Sequence, residues 1–343
     1  MHIAEIAPVW VPVPPPGYGG IELVVSLLVD GLAARGHEVT LFAAAGSQSR
    51  AKVVSPMPGG MELADMGADL TDEVVHALPA YLHAEEFDVI HDHTGFGTAL
   101  GAVLRGRPPV VHTLHGPWTD ATRRFYGAVS PPVHLIAISE SQASGNPDLE
   151  YAGVVHNGVD LDVYPWRKEK EDFLLFLGRC NAEKGPEVAV EVAKRADLPL
   201  ALVVKRSEPM EIAHWDEHVA PRLRGDEEIV FDAPHDQKVD FLARARATLC
   251  PIQWPEPFGL VMIESMACGT PVIATPRGAA PEIVVEGRTG VLAEDVDAMA
   301  EAVAAVADMS PSACREHVVE NFSAEAMVTK TERVLERVVA EAG

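Results

Sequence analysis

Glu256 and Glu264 lie eight positions apart, and their types and spacing make them the strongest indication of chemistry in this chain. Residues 256–264 read EPFGLVMIE, a Pro-Phe-Gly turn that leads into an apolar helix. Gly259 lets the backbone approach a ligand, and the free N–H groups at the start of the helix favour an anion such as phosphate. Because phosphate would repel carboxylates, we expect the two glutamates to accept hydrogen bonds from hydroxyl groups. The segment therefore predicts a site for a sugar joined to a nucleoside diphosphate.

Arg179 and Lys184 offer the positive charge that such a ligand needs. They flank a predicted junction between a strand and a helix, in residues 178–185, which read GRCNAEKG. Arg can bind phosphate through two parallel hydrogen bonds and Lys acts as a point charge, so together they could neutralise a diphosphate. An ordinary solvated pair of cations is the alternative interpretation.

Gly19 and Gly20 follow the first predicted strand and precede the first predicted helix, where α/β sheets often bind phosphate. A dinucleotide cofactor is the rival interpretation. It is weakened because the spacing departs from G-x-G-x-x-G and because no acidic residue that could bind the ribose of NAD ends the second predicted strand, residues 38–43. A purely structural glycine turn is the third possibility.

Four further residues carry candidate groups. His115 ends a predicted strand, so it is either a site residue or a satisfied structural histidine. His91 and His93 have a spacing compatible with metal ligation, but no further ligands are evident, so we expect no metal site. Lys205 follows a buried predicted strand and faces either the ligand or water.

An alternation of strands and helices in both halves of the chain must position these groups. Short β-branched runs separated by helical stretches indicate parallel strands with crossover helices, an α/β pattern. We predict two Rossmann-like, doubly wound domains facing a central cleft, because such sheets bind ligands at the carboxyl ends of their strands. The domains are expected at residues 1–165 and 171–323, on either side of the charged run 166–172, and the helix at 324–343 is expected to pack back on the first domain.

The sequence also predicts the bounds of the strands and of the last helices, and it contains one segment without a clear pattern. The strands are expected at residues 3–9, 38–43, 88–91, 109–115, 134–139, 153–156, 173–178, 200–204, 229–231, 247–251 and 272–274. The last helices are expected at residues 296–309, 311–321 and 324–341. Residues 44–74 give no strong signal, and we expect a mobile surface segment there.

Composition bounds the class of protein. The 343 residues exceed what one core usually supports, and a formal net charge of −24 argues against nucleic acid and anionic lipid as partners. The four cysteines are far apart in the sequence, which favours reduced thiols. The first residues resemble a strand and not a signal peptide, and no apolar run approaches the ~18 residues of a membrane span. We expect a cytoplasmic monomer or homodimer without an integral membrane segment.

Taken together, five motifs resemble the retaining glycosyltransferases of family GT4, which have the GT-B fold. They are Gly19-Gly20, residues 113–116 (TLHG), residues 157–160 (NGVD), Arg179 with Lys184, and Glu256 with Glu264. The resemblance covers nearly the whole chain and is strongest to the subgroup that contains the avilamycin glycosyltransferase. The spacing of the two glutamates around Pro-Phe-Gly is its specific part.

The resemblance implies roles for the matching positions in a donor-binding second domain and an acceptor-binding first domain. It implies that the Gly19 and Gly20 amides approach the donor diphosphate and that Arg179 and Lys184 neutralise it. It implies that the transferred sugar is held by Glu256 and by the backbone of Phe258, Gly259 and Leu260. It also implies that Glu264 binds the ribose and that His115 touches the sugar near the reacting carbon. Lys205-Arg206 stands where the family often has a small Ala-Gly pair, which leaves UDP and GDP both open.

The resemblance also implies the reaction. A hexose would move with retention from a nucleoside-diphosphate sugar to a hydroxyl of a small-molecule or glycan acceptor, with UDP-glucose favoured over GDP-mannose and with neither metal nor other cofactor. Two alternatives stay open. One is an isomerase on the same fold, such as a UDP-sugar 2-epimerase, and the other is a non-enzymatic sugar-binding protein.

Overall fold

A computed structural model describes residues 1–57, 70–104 and 108–343 of the chain. The chain forms two compact units, and the first unites Met1–Gly158 with Ala324–Gly343 while the second comprises Val159–Ser323. The division after Gly158 precedes the boundary near residue 165 that the charged run suggested. In these described stretches, none of the helices combines the length and the apolar character needed to cross a membrane.

The first unit is built on a seven-stranded parallel sheet. Its strands are β1 His2–Ile6, β2 Glu38–Phe42, β3 Lys52–Val54, β4 Val89–Asp92, β5 Val110–Thr113, β6 Val133–Ala137 and β7 Tyr151–Val154. Their spatial order is β3-β2-β1-β4-β5-β6-β7. The central strands are buried on both faces, which explains why they are nearly continuous apolar runs. Their carboxyl ends all lie at one edge of the sheet, where β1 is flanked by β2 and β4.

Helices connect these strands as the parallel arrangement requires. They are α1 Gly20–Ala34, α2 Leu70–Leu82, α3 Asp120–Val129 and α4 Glu140–Ser144, with 3-10 turns at Ala84–Glu86 and Gly97–Val103. The segment 44–74, which gave no strong sequence signal, contains β3 and the start of α2. Residues 58–69 of the expected mobile segment lie outside the described residues.

The second unit contains a six-stranded parallel sheet. Its strands are β8 Leu174–Arg179, β9 Leu200–Lys205, β10 Glu228–Phe231, β11 Ala247–Cys250, β12 Val272–Ala274 and β13 Gly290–Leu292, in the order β10-β9-β8-β11-β12-β13. Its helices are α5 Pro186–Ala196, α6 Pro209–His214, α7 His235–Arg244, α8 Leu260–Ala267, α9 Ala280–Ile283, α10 Val296–Val306 and α11 Pro311–Asn321, with a π turn at Trp215–Val219 and a 3-10 turn at Ala220–Arg222. In the sheet, β8 and β11 are neighbours, so the loops after them leave the same edge side by side.

The last helix, α12 Ala324–Ala342, belongs to the first unit and packs against α1. Arg35 donates hydrogen bonds of 2.5 Å to Glu325 and to Glu332. Gly31 faces Val328 so closely that a Cβ atom at position 31 would lie 2.5 Å from the Val328 Cγ2 atom. The close approach of the two helices therefore depends on the missing side chain of Gly31.

We predict that Gly31→Ala lowers the free energy of unfolding by about 1 kcal/mol. Overpacking against Val328 lowers the free energy of unfolding by about 1–3 kcal/mol, whereas the better helix propensity of Ala raises it by only about 1 kcal/mol. Gly127→Ala, in α3, is the matched control because a Cβ atom there meets nothing within 4 Å, so it should be stabilising. Urea unfolding measures both changes, and equal gains at the two positions would contradict the packing of α12 on α1.

Candidate functional site

In the second unit, the loops after β8 and β11 meet. The Gln253 N–H donates a 2.8 Å hydrogen bond to the Glu183 carbonyl oxygen, which joins the loop 179–185 to the loop 251–259. The first loop ends at Gly185, which caps α5, and the second ends at Gly259, which caps α8. The positive ends of two helices therefore lie at this edge of the sheet, an arrangement that favours an anion.

Lys184 and Glu256 form the central contact of these two loops. The Lys184 Nζ atom lies 2.5 Å from Glu256 Oε2, and the Trp254 Nε1 atom donates a 2.7 Å hydrogen bond to the same oxygen. The Lys184 ammonium also lies 6.0 Å from the centre of the Trp254 ring, within reach of a cation–π interaction. Glu256 is buried, whereas the Lys184 side chain keeps 21% of its surface exposed. The carboxylate thus holds an accessible ammonium in place.

Arg179 ends β8 and supplies the second cation of the site. Its Nη2 atom lies 3.3 Å from Glu183 Oε2, and a third of the side chain is exposed. An exposed pair of this kind is worth only about 0–1 kcal/mol, so the guanidinium is available to a better anionic partner. The structure brings Arg179, Lys184 and Glu256 to one edge of the sheet.

The Pro-Phe-Gly turn shapes the start of α8. Gly259 has a φ of 92°, a left-handed conformation that a residue with a side chain rarely adopts. Phe258 is buried and packs edge-on against Phe322, with ring centres 6.0 Å apart, which fixes the turn. Leu260 begins α8, and its N–H is among the first amides of the helix, which have no intrahelical acceptor.

Glu264 lies inside α8, and its Oε1 atom accepts a 2.8 Å hydrogen bond from the Tyr164 hydroxyl. Burial raises the pKa of the Glu264 carboxyl above its ordinary value. Tyr164 is itself buried, so the pair is a preorganised polar group in apolar surroundings. Tyr164 and Trp254 were missed by sequence reasoning, although Trp254 lies only two residues before Glu256.

Lys205 has its backbone where the sequence placed it, since it pairs with Arg179 across β8 and β9. Its ammonium, however, is buried and contacts Glu208 Oε1 at 2.5 Å and Glu211 Oε2 at 3.0 Å. The neighbouring Arg206 guanidinium lies over the Phe231 ring at 4.9 Å. The structure therefore gives Lys205 a structural ion pair and does not bring its charge to the loops of Arg179 and Lys184.

In the first unit, Gly19 caps α1 and Gly20 is its first residue. The buried side chain of Glu22 folds back to this turn, and a Cβ atom on Gly19 would lie 3.0 Å from Glu22 Oε2. Burial raises the pKa of the Glu22 carboxyl to about 7, against the opposing effect of a backbone hydrogen bond. Sequence reasoning missed Glu22, although it follows the glycine pair directly.

We predict that Glu22 makes the wild-type protein less stable as pH rises. The unfolded carboxyl ionises near 4.5 and the folded one near 7, so the stability present below 4.5 is lost as pH rises through 7. Between pH 5 and pH 8, the unfolding free energy of Glu22→Gln should therefore rise relative to wild type by about 2–3 kcal/mol. Urea unfolding at both pH values measures this difference. Glu85→Gln removes an exposed carboxylate as a control, and a similar trend there would contradict the assignment to Glu22.

Four side chains form a polar cluster, called here the histidine cluster, at the carboxyl ends of β1, β4 and β5: Glu5, His91, His93 and His115. Glu5 Oε1 lies 3.1 Å from His91 Nδ1, and Glu5 Oε2 lies 3.0 Å from His93 Nε2. His93 Nδ1 lies 2.9 Å from His115 Nε2. Burial would raise the pKa of Glu5, but His91 and His93 hold it at about 2, so the carboxylate is ionised.

Glu5, His91 and His93 also have the spacing of a possible metal site, because one ligand atom from each lies within 4.8 Å of the others. No third ligand for the two histidines was evident from the sequence, since Glu5 is distant along the chain. The parallel pairing of β1 with β4 places Glu5 directly beside His91. His115, which the sequence proposed as a site residue, is half-buried at the border of this cluster.

Comparisons with known proteins agree with this fold. The family model "Glycosyltransferase Family 4" matches residues 18–163, and the model "Glycosyl transferases group 1" matches residues 165–324. The two parallel sheets of seven and six strands, with the helices that connect them, match the GT-B class of glycosyltransferases. Within that class, this chain belongs to the GT4 family.

Individual relatives are similar over most of their length. The D-inositol 3-phosphate glycosyltransferase of Mycolicibacterium smegmatis is 28% identical over 86% of this chain and 80% of its own length. The crystal structure of AviGT4, a glycosyltransferase involved in avilamycin A biosynthesis, has a TM-score of 0.79 at 26% identity, with 99% and 98% of the two chains covered. HepE from Anabaena, solved with UDP and glucose, has a TM-score of 0.75 at 18% identity, with 98% and 100% covered.

Proposed function

We propose that this glycosyltransferase transfers a hexose with retention from a nucleoside-diphosphate sugar, preferably UDP-linked, to a hydroxyl of an acceptor. The observation that carries the proposal is the contact of Lys184 with Glu256 beside the start of α8, with Arg179 at the same edge of the sheet. Two cations and a helix N-terminus meet the charge of a diphosphate in a chain whose net charge is −24.

These groups act on the leaving diphosphate. As the bond from the anomeric carbon to the diphosphate oxygen breaks, negative charge grows on the diphosphate, and preorganised donors stabilise it most where it develops. The acceptor oxygen bonds to the anomeric carbon from the same face, and its proton passes to a phosphate oxygen. In this scheme the ammonium of Lys184 and the guanidinium of Arg179 take the part that Mg²⁺ plays elsewhere, so the reaction needs no metal.

The carboxylates recognise hydroxyl groups of the donor. Glu256 receives hydrogen bonds from Lys184 and Trp254 on Oε2, which leaves Oε1 for the transferred sugar. Glu264 uses Oε1 for Tyr164, and within the described part of the chain its Oε2 has no hydrogen-bond partner, so it is free to accept from the ribose. The backbone of Phe258, Gly259 and Leu260 lies between the two glutamates in the sequence, and in this proposal it contacts the transferred sugar.

The nucleobase and the acceptor are the finer parts of the proposal. We favour UDP because HepE, a protein of the same fold, was solved with UDP and glucose. The relatives named D-inositol 3-phosphate glycosyltransferases make a phosphorylated cyclic polyol the first acceptor to test.

We predict that Lys184→Ala and Arg179→Ala each lower kcat/KM about 10²–10³-fold, the usual cost of removing one donor to developing negative charge. Steady-state assays with UDP-glucose, monitored by UDP release, measure the loss. Lys194→Ala is the matched control, because Lys194 pairs with Glu191 on the surface of α5. Circular dichroism checks that each variant is folded. Wild-type rates in both site variants would contradict the diphosphate site.

We predict that UDP raises the thermal stability of the protein more than GDP or ADP does. A ligand at 100 times its Kd adds about 2.7 kcal/mol to the free energy of unfolding, which a thermal-shift measurement detects. EDTA should leave both the shift and the turnover unchanged, because Arg179 and Lys184 supply the positive charge. Activity that EDTA abolishes and Mg²⁺ restores would contradict the metal-independent scheme. An epimer formed from UDP-sugar without acceptor would instead support an isomerase.

A further inference from the structure

Tyr164 and Glu264 join the segment that opens the second unit to helix α8 of the same unit. The Tyr164 hydroxyl donates a 2.8 Å hydrogen bond to Glu264 Oε1. Tyr164 keeps only 2% of its surface exposed, and Glu264 is half-buried. A tyrosine so deeply enclosed has little freedom to turn, because close packing restricts its side chain to one rotamer. Its hydroxyl is therefore a fixed point against which the carboxylate is oriented.

Arg315, in α11, fastens the backbone of Tyr164 to the end of the same helix. Its Nη1 atom donates to the Tyr164 carbonyl oxygen at 2.6 Å and to the Ala267 carbonyl oxygen, at the last residue of α8, at 2.7 Å. Its Nη2 atom donates to the Leu161 carbonyl oxygen at 2.8 Å. The planar fork of a guanidinium suits it to join several carbonyl groups at once. Tyr164 and α8 are thus held together through their backbones as well as through the Glu264 carboxylate.

The ring of Tyr164 is supported by His235, the first residue of α7. The two ring centres lie 5.8 Å apart, and the angle of 78° between the planes is an edge-to-face arrangement. Burial raises the pKa of the Tyr164 hydroxyl, and the nearby Glu264 carboxyl adds to that effect. The hydroxyl therefore keeps its proton and acts as the donor of the pair.

The direction of this hydrogen bond decides what Glu264 can offer to a ligand. Burial raises the pKa of the Glu264 carboxyl, whereas the hydrogen bond from Tyr164 and the charge of Lys238 lower it. Tyr164 thus favours the ionised carboxylate, whose oxygens only accept hydrogen bonds. Within the described part of the chain, Glu264 Oε2 has no hydrogen-bond partner. An accepting oxygen in a fixed direction is left for a ligand with hydroxyl groups.

We propose that Tyr164 is a positioning residue that holds the Glu264 carboxylate through Oε1, so that Oε2 accepts from the ribose and the enzyme prefers ribonucleoside diphosphates to their deoxy analogues. This role deepens the proposed function and rests on it for the contact between Glu264 and the ribose. A site built to bind a hydroxyl group rejects an analogue without it, because a polar group of the site is left unpaired. Tyr164 strengthens that rejection, since it keeps the carboxylate from turning to another partner.

Calorimetric titration with UDP and with 2′,3′-dideoxyuridine 5′-diphosphate separates this role from general structural support. The dideoxy nucleotide keeps the base and the diphosphate but lacks both ribose hydroxyl groups. Tyr164→Phe removes a single oxygen atom and should raise the Kd for UDP about tenfold, as the loss of one hydrogen bond to a charged group does. The Kd for the dideoxy nucleotide should change less than about twofold. Equal weakening of the two nucleotides would overturn the proposal.

Tyr151→Phe is the matched control, because the Tyr151 hydroxyl donates a 3.0 Å hydrogen bond to the Asn146 carbonyl oxygen in the first unit. This variant should bind both nucleotides as the wild type does, and thermal unfolding checks that each variant is folded. A crystal structure of the wild type with UDP tests the same point without any substitution. The expected result is the Tyr164 hydroxyl on one oxygen of Glu264 and a ribose hydroxyl on the other. A carboxylate that has turned away from Tyr164 would overturn the proposal.

Glu264→Ala distinguishes a failure of this inference from a failure of the proposed function. It should weaken UDP at least as much as Tyr164→Phe does and leave the dideoxy nucleotide nearly unaffected. If Glu264→Ala shows this selectivity and Tyr164→Phe does not, the positioning role of Tyr164 alone is overturned. If Glu264→Ala weakens both nucleotides equally, or neither, the ribose contact in the proposed function is wrong and the role of Tyr164 is overturned with it.

Discussion

The contact between Lys184 and Glu256 is the interaction on which the proposed donor site depends, because each residue compensates an energetic cost of placing the other there. A buried carboxylate is costly unless it is paired, and a lysine on a mobile stem loses conformational entropy when it is fixed in one place. The 2.5 Å contact pairs the buried Glu256 carboxylate and fixes the Lys184 side chain before any ligand binds, and Trp254 donates a hydrogen bond to the same oxygen. It also ties together the loops that follow two adjacent strands, so the start of α8 and the cations keep a constant geometry.

Much of the fold and the second-unit site was predictable from the sequence, because local patterns determine them. Eleven of the strands are β-branched runs that periodicity reveals, whereas β3 and β13 have three residues each and lie at sheet edges, where the pattern is too short to recognise. Arg179 and Lys184 could be found because one ends β8 and the other lies in the short loop that follows it. Lys205 occupies the equivalent place at the end of β9, but Glu208 and Glu211 bind its buried ammonium, and the strand pattern does not show which way a lysine at a strand end turns.

The histidine cluster is an example of a feature that could not be predicted from the sequence alone. His91 and His93 were visible as a pair, but their common partner, Glu5, is 86 positions from His91 and joins it only through the register of β1 with β4. Tyr164 and Glu264 are likewise 100 positions apart. The first contact arises from the order of strands in a sheet and the second from the packing of a loop against a helix, and propensity and periodicity encode neither. The same limit explains why Glu22 was overlooked, since its burial and not its type makes it unusual.

The path of the chain has a consequence for how such enzymes diversify. Val159 and Ser323, the first and last residues of the second unit, pair as a β-bridge, and the chain then returns to the first unit as α12. The second unit is thus a single continuous insertion whose ends lie side by side, while the first unit is assembled from two pieces. A segment with adjacent ends can be replaced as a cassette without cutting either sheet. Recombination at these two points would exchange the whole second unit while keeping the seven-stranded sheet of the first unit intact.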